Sequence, residues 1–128
     1  MDERDVVVKV NGVSVKAKLS YDAESFCIDF DLNGSIYSCC GKSLFSSFIG
    51  LRSMLPNVEF LCKGAKVNVY PSRASSQMSA GLMAYELTLG KQALRENLVN
   101  IFDYESEEVT NDPLIQHDFF ECWIKSLR

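Results

Sequence analysis

Most of the residues that enzyme chemistry leans on are scarce in this chain: of 128 residues, one is histidine, one tryptophan and three proline, and the five cysteines form no C-x-x-C pair. A lone histidine leaves any Cys-His or Ser-His device dependent on His117. That residue lies two positions from Ile115 and Phe119, off the apolar stripe of the last helix, so an exposed helical position accounts for it. A structural zinc site would have to be assembled from scattered thiols, and neither metal nor cofactor is expected. Adjacent Cys39 and Cys40 point to opposite faces of a strand and make a poor disulfide. With Cys27, Cys62 and Cys122 they are expected to be reduced and mostly buried.

Long apolar runs are missing too. No stretch approaches the ~18–20 residues that span a bilayer, and the opening MDERDVVVKV has acids where a secretory signal carries bases. A cytoplasmic protein without a membrane partner is expected. Basic residues are outnumbered, 13 Lys and Arg against 17 Asp and Glu, for a net charge of -4. That balance argues against direct nucleic-acid binding and favours a basic partner. G-x-S-x-G, H-E-x-x-H and G-x-G-x-x-G are absent. Gly41-Lys42-Ser43 matches the end of a phosphate-binding loop, but the loop's first glycine falls at Ile36. The tripeptide is better read as a turn, an exposed lysine and a helix cap.

What is present is patterned. Asn11-Gly12 supplies the two positive-φ residues of a type I′ turn between alternating runs. A two-residue loop sets Val10 against Val13, Val8 against Val15, Val6 against Ala17 and Asp5 against Lys18. Asn33-Gly34 repeats the device, joining a strand with Phe26, Ile28, Phe30 and Leu32 inward to one carrying Tyr37 and Cys39. Asp29 and Asp31 alternate on the opposite, solvated face. From Ser43 the period becomes helical through Leu44, Phe45, Phe48, Leu51 and Leu55, and Pro56 halts it. VEFLC, KVNVY, MAYELTL and NLVNIF read as further strands, with Met83, Tyr85, Leu87 and Leu89 sharing one face; KQALREN is a turn or helical turn. Pro113 opens a last helix with Ile115, Phe119, Trp123, Ile124 and Leu127 as its stripe. The expected fold is a single α+β domain, a largely antiparallel curved sheet of about six to eight strands whose apolar face is covered by one central helix (about 43–55) and a C-terminal helix (about 113–127), with Trp123 substantially buried.

Two segments do not read as packing. YPSRASSQMSAG, residues 70–81, is polar and long for a connection, a surface loop with Tyr70, Ser72 and Arg73 as its polar groups. DYESEEVTND, residues 103–112, holds Asp103, Glu105, Glu107, Glu108 and Asp112 with no base among them, either a solvated connector or a recognition surface.

The series C-x-G-A, N-V-Y-P-S, M-x-x-G, A-Y-x-L-x-x-G and I-F-D between Leu61 and Asp103, with the closing FFECWIKSL, resembles a family of small bacterial proteins. Some members stand in the immunity position of contact-dependent growth inhibition loci, beside toxins that often degrade nucleic acid. The resemblance implies a non-enzymatic immunity protein that neutralises a basic cognate toxin, a nuclease, by occluding its active site. Carboxylates that stand in for phosphates suit that task. Asp103, Tyr104, Glu105, Glu107 and Glu108 are then the expected partner-binding residues, with Tyr70 and Arg73 from the 70–81 segment. The alternative is a small ligand-binding or enzymatic domain working through residues 70–81.

Overall fold

A computed structural model describes residues 1–128. Strands β1 (Asp2–Val10), β2 (Val13–Asp22), β3 (Cys27–Leu32), β4 (Ser35–Cys40) and β5 (Val58–Phe60) form a curled antiparallel sheet in the order β4-β3-β2-β1-β5. A second sheet, β6 (Val69–Tyr70), β7 (Met83–Glu86) and β8 (Leu98–Asn100), is ordered β6-β7-β8. Three α-helices complete the α+β fold: α1 (Leu44–Met54), α2 (Arg73–Ser79) and α3 (Pro113–Ser126). No helix is long and apolar enough to cross a membrane.

Turn chemistry sets the first sheet. Asn11, Gly12, Asn33 and Gly34 all have positive φ, and the first hairpin pairs Val10 with Val13, Val8 with Val15, Val6 with Ala17 and Asp5 with Lys18, the register its two-residue loop predicts. Ile28 and Phe30 are buried as expected, but Phe26 stands one residue before β3 with φ 61°, outside the ladder. Its amide closes a turn onto Asp22 O and its carbonyl accepts from Ser47 Oγ of α1. The same register opposes Cys27 and Cys40, which form a disulfide with their Cα atoms 4.1 Å apart. This corrects the expectation of five free thiols: the partner of Cys40 is its cross-strand neighbour, not its sequence neighbour. Cys39, Cys62 and Cys122 are free, and only Cys62 is buried.

Ser43 caps α1, its hydroxyl accepting from Ser46 N at 3.1 Å, and Leu44, Phe45, Phe48 and Leu51 face the core. Between the end of β4 and the start of β5 the helix carries the chain from one edge of the sheet to the other. Phe48 meets Phe60 and Phe102 edge-on, each at 5.4 Å between ring centres, which locks helix, sheet and the Ile101–Phe102 turn into one core.

The C-terminal half departs from expectation in four places. The eight strands divide between two sheets, and α3 packs beside β6 of the smaller one. Trp123 is only partly buried, and Ile115 and Leu127 are exposed, because the side chain that α3 buries completely is Gln116. Along β7 the buried residue is Ala84, opposite in phase to Met83 and Tyr85; the strand ends at Glu86, Leu87 is buried and Leu89 is exposed. Met83 and Tyr85 are themselves partly covered, so apolar alternation alone did not distinguish the two faces. Residues 73–79 are a helix, not a loop: Ser72 and Ser75 exchange side-chain to backbone hydrogen bonds at 2.9 and 3.0 Å in a capping box.

Candidate functional site

The acidic segment is relieved by bases far away in sequence. Asp103 accepts from Arg4 Nη2 at 2.8 Å, and Arg4 also donates to Asn100 Oδ1. Glu105 turns inward to Lys63 and Lys66, at 3.0 and 3.1 Å, and Glu86 from β7 meets the same two lysines at 3.0 Å each. Burial would raise the Glu105 carboxyl, but the Glu107 amide and the two ammonium groups outweigh it and hold it down at about 2. Burial likewise opposes the charge on Lys63 and Lys66, and their bonds to Glu86 and Glu105 win, raising both.

This ion-pair square roots the segment. Backbone bonds add to it: Glu105 N donates to Leu61 O, Lys63 N to Asp103 O and Val67 N to Glu108 O, with isolated bridges at Cys62–Tyr104 and Lys66–Val109. Glu108 is held with φ 54°, a left-handed conformation that a non-glycine residue adopts at a cost. What projects from the frame is Tyr104, 60% exposed, with Glu107 and Glu108. Of the five predicted recognition residues in this segment, Glu105 is an inward anchor, Asp103 is tied to Arg4 while still exposed, and Tyr104, Glu107 and Glu108 form the outward surface.

Tyr70 and Arg73 lie elsewhere, and no hydrogen bond or ion pair joins them to residues 103–108. Tyr70 stacks on Phe120 of α3 at 4.5 Å and its hydroxyl lies 3.3 Å from His117 Nδ1. His117 Nε2 faces Glu121 at 3.4 Å. Burial and the Glu121 charge push the Tyr70 phenol up, so it keeps its proton and is a poorer nucleophile. Arg73 opens α2 and is exposed. Two clefts flank Tyr85: one of about 190 Å³ includes Tyr70, Ser72, Phe120 and Trp123, and one of about 330 Å³ includes Met78, Met83, Arg95 and Leu98.

Several motif residues prove structural. A Cβ on Gly64 would lie 2.8 Å from Ile101 Cβ, and one on Gly81 2.9 Å from Leu44 N at the start of α1. The Cys62 thiol is fully buried and pushed up to about 12 by burial, which removes it as a nucleophile. No three His, Cys, Asp or Glu side chains converge as a metal site requires.

Sequence reasoning missed one buried polar cluster. Arg52 is 1% exposed with no carboxylate partner: it donates to Thr110 O at 2.6 Å and Gln116 Oε1 at 2.8 Å, and its guanidinium carbon lies 4.9 Å from the centre of the Phe48 ring. Burial lowers it to about 10, so it stays charged at neutral pH. Gln116 Nε2 donates to Gly64 O and Lys66 O, both at 2.9 Å, and to Val69 O at 3.3 Å. The signal was present: Arg52 falls four residues after Phe48 and three before Leu55, inside the apolar stripe. No family model and no curated protein matches this chain.

Proposed function

We propose that the protein is a non-enzymatic immunity protein that binds a basic toxin domain, a nuclease, through Tyr104, Glu107 and Glu108 and blocks its active site. One observation carries the reading: Glu105 is turned inward onto Lys63 and Lys66, so the neighbouring outward residues stand on a frame that is ordered before any partner arrives. Ordering in advance removes part of the entropy cost of association. Two carboxylates beside a large exposed ring suit a phosphate-binding cleft, the ring as central anchor and the acids opposite Lys or Arg. The reading places the protein in the cytoplasm.

The test is calorimetric titration against the toxin encoded beside it, at low and high salt. Glu107→Lys with Glu108→Lys should weaken binding at least ~10-fold at low salt and reduce its salt dependence, and Tyr104→Ala should cost about 2 kcal/mol or more. Glu105 is left unchanged because its reversal would act on the fold. Parent-like affinity in both variants would sink the proposal.

A second reading rests on the 190 Å³ cleft, which is aromatic on several sides and suits a small planar ligand. Trp123 is the sole tryptophan and lines it, so an entering ligand would change the protein's tryptophan emission. A fluorescence screen with no response removes this reading.

A further inference from the structure

The two edges of the five-stranded sheet are not equally protected. β5 is three residues long, carries the exposed Glu59 at its centre and follows Pro56 closely. Short length, charge and proline are the devices by which natural sheets prevent their edges from pairing. β4 has none of these: Ser-Ile-Tyr-Ser-Cys-Cys is six residues without charge or proline, paired in unbroken register with β3.

The register also says which backbone groups are free. A two-residue hairpin closes on a hydrogen-bonded pair, here Leu32 with Ser35, so Tyr37 and Cys39 bond inward to β3. Ile36, Ser38 and Cys40 then lie in the non-bonded pairs and turn their N–H and C=O groups outward. The 4.1 Å Cα separation of Cys27 and Cys40 agrees, since non-bonded pairs are the closer ones. On β1 the same parity directs Val7 O outward, and there it is used, accepting from Leu61 N at 3.0 Å. Nothing in the chain plays that part for β4.

We propose that β4 pairs antiparallel with β4 of a second copy of this chain, joining two five-stranded sheets about a two-fold axis through Ser38. A strand paired with itself must tolerate its own side chains, and a neutral strand does. With Ser38 opposite Ser38, Ile36 falls opposite Cys40 of the other copy. Ile36 is 67% exposed, and it would cover the other copy's Cys27 and Cys40 sulfurs, twice by symmetry. On the inner face Tyr37 meets Cys39, both already partly buried. Lys42, the nearest charge after the strand, comes opposite the Asn33-Gly34 turn, where Asp31 holds the Gly34 amide at 2.9 Å. That is a complementary contact. Each bonded pair contributes two backbone hydrogen bonds, roughly six in all. The contact is small, so monomer and dimer exchange in the micromolar to millimolar range.

The surface is separate from residues 104–108, so this inference and the proposed function can fail independently. The experiment is sedimentation equilibrium of the full chain up to ~1 mM, carried out on Cys122→Ser, because the exposed Cys122 could link copies covalently. The result expected is a reversible dimer whose dissociation constant rises at least tenfold in Ile36→Lys and in Ser38→Pro. Circular dichroism checks the fold; Ile36→Lys adds a charge at an exposed position and keeps the test valid if the proline variant unfolds. Amide exchange at Ile36, Ser38 and Cys40 should slow as concentration rises, while exchange at Tyr37 and Cys39 is slow throughout. A monomer at every concentration, or a dimer as strong in Ile36→Lys as in the parent, overturns the proposal.

Discussion

The sheet of β1 to β5 and the half that follows it are joined by different kinds of bond. In the first, backbone ladders and apolar burial suffice: Val8, Leu19, Ile28 and Phe30 are fully buried, and the polar side chains along its strands face mostly outward. In the second, strands of two to four residues cannot hold themselves. Scattered backbone bonds are reinforced there by side chains, through the Lys63/Lys66/Glu86/Glu105 square, the Asn111 amide to Leu55 O and Val58 O, and Arg52 with Gln116. A ladder is cooperative and loses little with any one side chain, whereas a buried polar cluster fails as a unit.

The largest effect should therefore come from a side chain that no ladder replaces. Gln116→Leu keeps the volume roughly constant but removes the acceptor for Arg52 and the donor for the carbonyls of Gly64, Lys66 and Val69. A buried guanidinium left with one protein acceptor should cost about 3–5 kcal/mol. Urea denaturation measures it as a lower midpoint at unchanged slope. A loss under ~1 kcal/mol would mean that the cluster is no stronger than a surface network, and the contrast between the halves would collapse.

The next effect is tied to pH. Glu105 is held at about 2 in the folded protein against a usual 4.5, so its contribution is complete above pH ~4.5 and is lost as pH falls towards ~2. Glu86 is lowered too and acts with the same sign. Lys63 and Lys66 are raised, so their share is complete below ~10.5 and is lost above it. Glu105→Gln should cost about 1–3 kcal/mol at pH 7, and the parent and variant should converge near pH 2. A gap of constant size from pH 7 to pH 2 would assign the loss to packing instead of charge.

This contrast also explains what could be read from sequence. Asn-Gly turns are local instructions, and counting outward from Asn33-Gly34 puts Cys27 opposite Cys40, a consequence of the register that attention to adjacent Cys39 and Cys40 concealed. The acidic run looked unrelieved because Lys63 and Lys66 stand about forty residues upstream and Arg4 about a hundred. Only the fold brings them to it. The same holds for Arg52 and Gln116, 64 residues apart. Residues 73–79 misled in another way: serines suggested a loop, yet Ser72 and Ser75 in a capping box are what start α2.

The smallest effect should fall on Trp123, which a fully buried placement would make one of the costliest residues to remove. Its indole is partly exposed, lies 6.0 Å from Phe120 and donates Nε1–H to Lys91 O at 2.8 Å. A buried tryptophan cut to alanine costs about 3–5 kcal/mol. Here the ring is not fully enclosed, and Lys91 O can rehydrate once the donor is gone, so Trp123→Ala should cost about 1–2 kcal/mol. The loss should also be local. Gly90 N is tied to Ser126 Oγ at 2.8 Å, so the bond to Lys91 is one of two clasps that hold residues 88–93 against the end of α3. Amide exchange should quicken in that loop and the last turn of α3 while β1 to β4 keep the parent's rates. If exchange rises equally across the five-stranded sheet, α3 is coupled to the ladder half as firmly as α1 is, and the division between the two regions is wrong.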